Sequence, residues 1–209
     1  MSNPWLAIAL HDYEGHMSSE NVLQLEALSD LFKRALDLCQ PRSVAVLGVA
    51  GGNGLERIDS TTTKRIVALD INARYLEAVT KRYSSLPGLE LCCADLAAEQ
   101  LSLAPVELVH AALVFEHAGV GRCLENALSL VAPGGKLSVV LQWPSDAGQN
   151  VTPTRYSSMQ ALRDGFALVD VSQFLLELKE KGFQFIHQEH RPLPARKAFW
   201  LGIFARETL

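Results

Sequence analysis

The densest group of residues with chemical potential is Leu47-Gly48-Val49-Ala50-Gly51-Gly52-Asn53-Gly54-Leu55-Glu56. Small side chains in such a turn let a ligand approach the backbone, and exposed amides at the start of a following helix favour a phosphate or a carboxylate. Asp70 stands 22 residues after Gly48, a spacing that suits an acidic side chain accepting hydrogen bonds from ribose hydroxyls. Asp95 closes a later apolar run, where its carboxylate or the adjacent backbone can receive an amino hydrogen from a purine ring. Either aspartate has an ordinary alternative as a helix N-cap, since each directly follows a strand-like run. A dinucleotide fingerprint calls for small residues at relative positions 1, 3 and 6. Counted from Gly48 these are Gly48, Ala50 and Asn53, with a glycine at position 5 instead, which disfavours NAD(P).

Other reactive side chains carry less. His187 and His190 lie three apart on a strand-like run, an offset that sends them to opposite faces, so no metal site is expected there. Cys92 and Cys93 are adjacent and also diverge. With Cys39 and Cys123 they form no C-x-x-C pair, and the reading is reduced, mostly buried, inert thiols. Arg155 and Tyr156 lie in a polar stretch, where surface exposure competes with recognition of an anionic or aromatic ligand.

The elements that position these residues follow from periodicity. Val22, Leu25, Leu28, Phe32 and Leu36 make a helical stripe over about 20–39, with Ser18 or Ser19 as N-cap. Ser43–Gly48 reads as a buried strand that runs through the glycine turn into a helix ending near Ile58. Arg65–Asp70 is a second strand, followed by a helix over 72–83 with Tyr75, Leu76 and Val79 toward the sheet. Strands over 89–94, 106–114 and 136–141 come next, the last after a helix over 121–131 and a Pro133-Gly134-Gly135 turn. Alternating strands and helices imply a mostly parallel sheet covered on both faces, with ligands beyond the strand ends. A helix carrying Val171, Leu175 and Leu178 stops at Gly182, and strands over 183–190 and 198–205 close the chain, near enough for antiparallel pairing.

Together these signals, from about Val44 to Leu141, resemble the class I S-adenosylmethionine-dependent methyltransferases, especially small bacterial methyltransferase-domain proteins. Glu107–His117 looks like that family's fourth strand and exit loop, and Leu130–Leu137 like its turn before strand five. The resemblance implies a Rossmann-like α/β fold: a seven-stranded sheet, mostly parallel with an antiparallel C-terminal strand, and helices on both faces. It implies S-adenosyl-L-methionine as cofactor, the glycine turn lying against its methionine part, Asp70 on the ribose and Asp95 near the adenine. Gly48, Ala50, Gly52, Asp70 and Asp95, with Ile71, Leu96 and Ala112, are then the cofactor-binding residues. Two departures stand out. The acid often found two positions before the first glycine is Val46, and the second glycine is Ala50. Residues 12–17 are candidates to replace that acid, because related proteins fold an N-terminal segment over the cofactor.

Methyl transfer needs alignment and water exclusion, plus a base when the acceptor is an alcohol, a phenol or a protonated amine. His117, Glu116, His16 and Tyr13 are the candidate bases. The expected organisation is one domain over 1–209: an N-terminal helical cap over 1–40, a cofactor-binding core over 41–142, a substrate-side loop or lid over 143–170, and a closing helix with two strands over 171–209. The expected activity is methyl transfer to a small-molecule acceptor. The alternatives are an NAD(P)-dependent oxidoreductase and a non-catalytic adenosyl-cofactor-binding module.

Composition bounds the partners. Of 209 residues 48% are hydrophobic, so one core suffices without disulfides or a structural metal. A net charge of −4 with no cationic run argues against nucleic acid. The early apolar run Trp5–Leu10 lacks a basic lead and is far shorter than the ~20 residues that cross a bilayer. The expectation is a soluble cytoplasmic protein without a membrane partner.

Overall fold

The computed structural model describes residues 3–144 and 150–207. Its centre is a seven-stranded sheet in the order β3-β2-β1-β4-β5-β7-β6. β1 (Ser43–Leu47), β2 (Arg65–Asp70), β3 (Leu89–Cys93), β4 (Val106–Ala112) and β5 (Val131–Trp143) pair in parallel. β7 (Ala198–Arg206) lies antiparallel between β5 and β6 (Phe183–Pro192). The strand order reverses between β1 and β4, and the chain crosses over in opposite senses from that point, which leaves a crevice beyond their carboxyl ends.

Successive strand side chains alternate between the two faces. Ala45 and Leu47 join one apolar cluster, with Leu124, Ala127 and Leu128 of α5 (Gly121–Leu130) and Phe174 and Leu178 of α6 (Val171–Glu180). Val44 and Val46 join the other, with Leu28, Leu31, Phe32 and Ala35 of α2 (Gln24–Cys39) and Leu76 and Val79 of α3 (Ala73–Arg82). Both faces of the sheet are therefore covered, and the interior strands read as continuous hydrophobic runs because neither face meets water.

Four local expectations need correction. Ser18 and Ser19 do not cap α2. Their hydroxyls donate to the carbonyls of Glu14 and Gly15 and close α1 (Leu10–Met17), and α2 starts at Gln24, four residues after the expected start near 20, following Leu23 in a left-handed conformation. The helix expected after the glycine turn is only a 3-10 turn, Leu55–Arg57, entered through Gly54 at φ +95°. Pro133-Gly134-Gly135 does not precede β5 but lies within it as an irregularity: Val106 pairs with Val131 and Leu108 with Lys136. The cysteines are free, yet only Cys123 is buried. Cys39 and Cys92 are half-buried and Cys93 is exposed, since β3 is an edge strand. In the substrate-side loop, residues 157–162 form a 3-10 helix, and residues 145–149 lie outside the described residues. Among the described residues no helix is long and apolar enough to cross a membrane.

Trp200, fully buried on β7, lies over Gly202, two residues along the same face, and donates its indole N–H to Gln188 at 3.0 Å. A Cβ at Gly202 would fall inside the ring's volume. Gly202→Ala should lower stability by about 1–3 kcal/mol, the usual cost of overpacking, read as a fall in the urea midpoint. An unchanged midpoint would show that the ring can shift.

Candidate active site

The glycine turn is held in shape by what surrounds it. β1 ends at Leu47, and Gly48 (φ +65°) and Ala50 (φ +48°) both take the left-handed region, a conformation that costs an alanine strain. Ala50 is kept there by its N–H, which donates to Asp70 Oδ2 at 2.8 Å, while Val49 N–H donates to the Leu69 carbonyl at 2.9 Å. On the far side the Tyr83 hydroxyl donates to the Gly52 carbonyl at 2.8 Å and Arg82 to the Gly51 carbonyl at 3.0 Å. Arg82 is also paired with Glu14, so α1 supplies an acid to the neighbourhood of the turn, where Val46 is buried and apolar.

Asp70 is 7% exposed. Its Oδ1 accepts Asn72 N–H at 2.8 Å, and burial raises its pKa against the opposing pull of the amides of Asn72, Ala50 and Ile71. The capping alternative fails for Asp70, because Asn72 caps α3 through Arg74 N–H at 3.1 Å. Asp95 starts no helix either: residues 96–99 form only a turn, which it closes by accepting Ala97 N–H at 2.9 Å, and it borders the crevice.

A cavity of about 200 Å³ opens at these strand ends. Gly48, Ala50, Asp70, Ile71, Asp95, Leu96 and Ala112 all line it. Gly52 does not: it sits outside at φ +89°, where a Cβ would meet the Tyr83 ring, so its glycine serves the turn's packing. The cavity is covered by Trp5 from the N-terminal 3-10 turn, by Tyr13, His16 and Met17 of α1, and by residues of the 150–166 segment.

Of the four candidate bases, three face this cavity. His117, in the short helix α4 (Phe115–Ala118), is edge-on to Trp5 (centroids 4.9 Å apart) and to Phe166 (5.1 Å). Burial lowers its pKa to about 4. His16 is buried, with Nδ1 2.9 Å from Thr154 Oγ1, and burial followed by the Lys197 charge also lowers its pKa to about 4. Both imidazoles are neutral at neutral pH. Tyr13 stays a phenol, because burial and then the nearby Tyr75, Asp70 and Glu14 raise its pKa. Glu116 is the exception. It is 1% exposed, away from the cavity, and its Oε1 accepts the backbone N–H of Gln142 at 2.7 Å. Oε2 has no partner, and burial pushes the pKa up to about 7.

Sequence reasoning missed Trp5, Gln24, Gln142, Met159, Leu162 and Phe166, all of which line the cavity. Trp5 and Phe166 are isolated aromatics in irregular segments, and only their tertiary placement marks them. Arg155 and Tyr156 lie elsewhere: the guanidinium stacks on its neighbour's ring at 5.0 Å, and that ring covers Gly15 beside a separate surface groove. His187 pairs with Glu189, and His190 packs edge-on against Trp143. No group of three or more His, Cys, Asp or Glu among the described residues is arranged to hold a metal.

Residues 45–139 match the family model described as a methyltransferase domain. The chain's fold is that of the class I S-adenosylmethionine-dependent methyltransferases. The N-methyltransferase NodS of Bradyrhizobium japonicum, crystallised with S-adenosylhomocysteine, superposes with a TM-score of 0.68 at 14% identity, covering 98% of this chain and 99% of that one. Magnesium protoporphyrin IX methyltransferase of Synechocystis, also with S-adenosylhomocysteine, gives 0.71 at 10% identity over 94% and 93%. The [4+2]-cyclase SpnF gives 0.67 at 13% identity over 91% and 85%. No curated protein matches the sequence.

The buried titratable groups of the chain set its acid sensitivity. His16, His110 and His117 resist protonation down to about 4, about 3 and about 4, from an ordinary 6.5. The unfolded chain therefore binds more protons below pH 6.5, and the stability these histidines contribute above 6.5 is lost as pH falls toward 4. Glu116 has the opposite sign: its contribution is full below its ordinary 4.5 and lost as pH rises through about 7. The urea midpoint should fall between pH 7 and 4, the three histidines outweighing the opposite shifts of Glu116 and Asp70. Glu116→Gln should steepen that fall by stabilising the protein at pH 7. A midpoint that rises on acidification would contradict the neutral, buried state of the histidines.

Proposed function

We propose that the domain methylates a small-molecule acceptor held between the strand ends and the N-terminal cover, with Gly48, Ala50, Asp70, Ile71, Asp95, Leu96 and Ala112 holding the cofactor. The observation that carries this reading is the charge of the cavity. Among the described residues its wall includes two carboxylates, Asp70 and Asp95, and no Lys or Arg. That wall fits a ligand with sulfonium and ammonium groups and leaves a pyrophosphate without a counter-charge. The short 3-10 turn after Gly54 supports the same choice, since it lacks the aligned amides of an α-helix N-terminus.

Asp70, with two backbone bonds already made, keeps free lone pairs on its carboxylate for ribose hydroxyls. When bound, S-adenosylmethionine supplies a methyl carbon on a positively charged sulfur that leaves as a neutral thioether with the carbon–sulfur electron pair. The chain's own part is to bind, align and exclude water, and for a hydroxyl acceptor to take up the proton. His117 and His16 are neutral and able to do so, and Tyr13 serves as a hydrogen-bond donor. Glu116 acts from behind the wall, fixing the backbone of Gln142. Residues 1–40 would serve as the cap and 143–170 as the substrate-side lid of a single domain closed by residues 171–209. The four free cysteines support a cytoplasmic setting.

Calorimetry with S-adenosylhomocysteine should give saturable binding, while NADH gives none; the reverse pattern would overturn the reading. Asp70→Ala, shown folded by its far-ultraviolet spectrum, should weaken cofactor binding by about 1–3 kcal/mol. His117→Gln should lower kcat by about 100-fold with the KM for S-adenosylmethionine nearly unchanged, the range expected for loss of a general base. A KM effect without a kcat effect would assign His117 to binding.

A further inference from the structure

The part of the cavity wall supplied by the N-terminal cover, α4 and the 150–166 segment has a distinct chemistry. Trp5, His117 and Phe166 form a continuous aromatic group, each ring edge-on to the next at 4.9 Å and 5.1 Å. Tyr13 extends it, 5.7 Å from Trp5. Met159 and Leu162, each 2% exposed to solvent, belong to a small apolar cluster of their own with Ile8 and Val151, separate from the two clusters that cover the sheet. Trp5, Tyr13 and Phe166 pack against that cluster, which braces the aromatic group from behind.

Among the described lining residues the only Asp, Glu, Lys or Arg side chains are Asp70 and Asp95, both acidic and at the strand ends. Lys197 is the buried cation nearest to His16, but its ammonium donates to the Asn150 carbonyl at 2.7 Å and Thr152 Oγ1 at 2.8 Å, and it does not line the cavity. A carboxylate or phosphate placed here would be desolvated without a partner. An ammonium would meet the positive charge that the cofactor already brings. A planar neutral ring loses nothing comparable and gains contact with the aromatic rings.

Resting on the cofactor reading above, we propose that the acceptor is a neutral aromatic compound bearing a hydroxyl, its ring packed against Trp5 and Phe166 and its hydroxyl donating a hydrogen bond to His117. The neutral imidazole, set between the Trp5 and Phe166 rings, supplies the acceptor atom that a phenol requires.

The test uses the full chain loaded with S-adenosylhomocysteine and titrated calorimetrically with four probes of one shape: 2-naphthol, 2-naphthoate, 2-naphthyl phosphate and 2-naphthylmethylammonium. 2-Naphthol should bind at least tenfold more tightly than any charged probe. His117→Phe, which keeps an aromatic ring beside Trp5 and Phe166, should weaken 2-naphthol about tenfold while S-adenosylhomocysteine still binds. A charged probe binding as well as 2-naphthol, or no binding of 2-naphthol to loaded protein, overturns the acceptor class alone. Protein that takes up no S-adenosylhomocysteine overturns the cofactor reading, and the acceptor class falls with it.

Discussion

Two backbone N–H groups from different elements converge on one buried carboxylate. Asp70 accepts from Ala50 in the glycine turn and from Asn72 at the start of α3, so the end of β2, the turn after β1 and the next helix are fixed relative to each other by one side chain. Ala50 holds a left-handed conformation without being glycine, and the Asp70 bond helps offset that strain. The cavity floor depends on this junction. The carboxylate is buried enough for its pKa to rise, and the amide bonds oppose that rise.

The same helix start also holds the roof. Asn72 caps α3 with its oxygen and donates its side-chain amide to the Trp5 carbonyl at 2.9 Å. Arg74 donates to the Leu6 carbonyl, Tyr75 to the Ile8 carbonyl at 3.0 Å, and Arg82, at the other end of α3, pairs with Glu14. One helix therefore positions both the turn under the cavity and the N-terminal segment over it. The resulting space is divided by chemistry into carboxylates at the strand ends and aromatic rings beneath the cover. A [4+2]-cyclase shares this fold, so the sheet alone does not name a reaction. The wall residues carry the specificity.

The strands and their mostly parallel arrangement were readable in the chain because interior parallel strands are buried on both faces and become short apolar runs between amphipathic helices. A site beyond the strand ends follows from the same alternation, while the reversal between β1 and β4 came with the sheet order. Elements governed by local competition were harder to read. Ser18 and Ser19 have the chemistry of caps at either end of a helix, and only the position of Glu14 and Gly15 carbonyls decided which end they serve. Gly52 looked like a ligand contact because glycine in a turn signals close approach, but the approaching group is Tyr83.

What the sequence by itself determined was the alternating sheet, the glycine turn and the acid at the end of β2, since each depends on residue type and short-range spacing. Tertiary structure decided which side chains share the cavity. Glu116 and His117 are neighbours in the chain, yet one is buried against the Gln142 backbone and the other stands among Trp5 and Phe166, residues 112 and 49 positions away. Adjacent side chains on a helix point about 100° apart, so which of the two meets the cavity depends on how α4 docks. That docking is set by packing between distant segments, which leaves no periodic trace in the sequence.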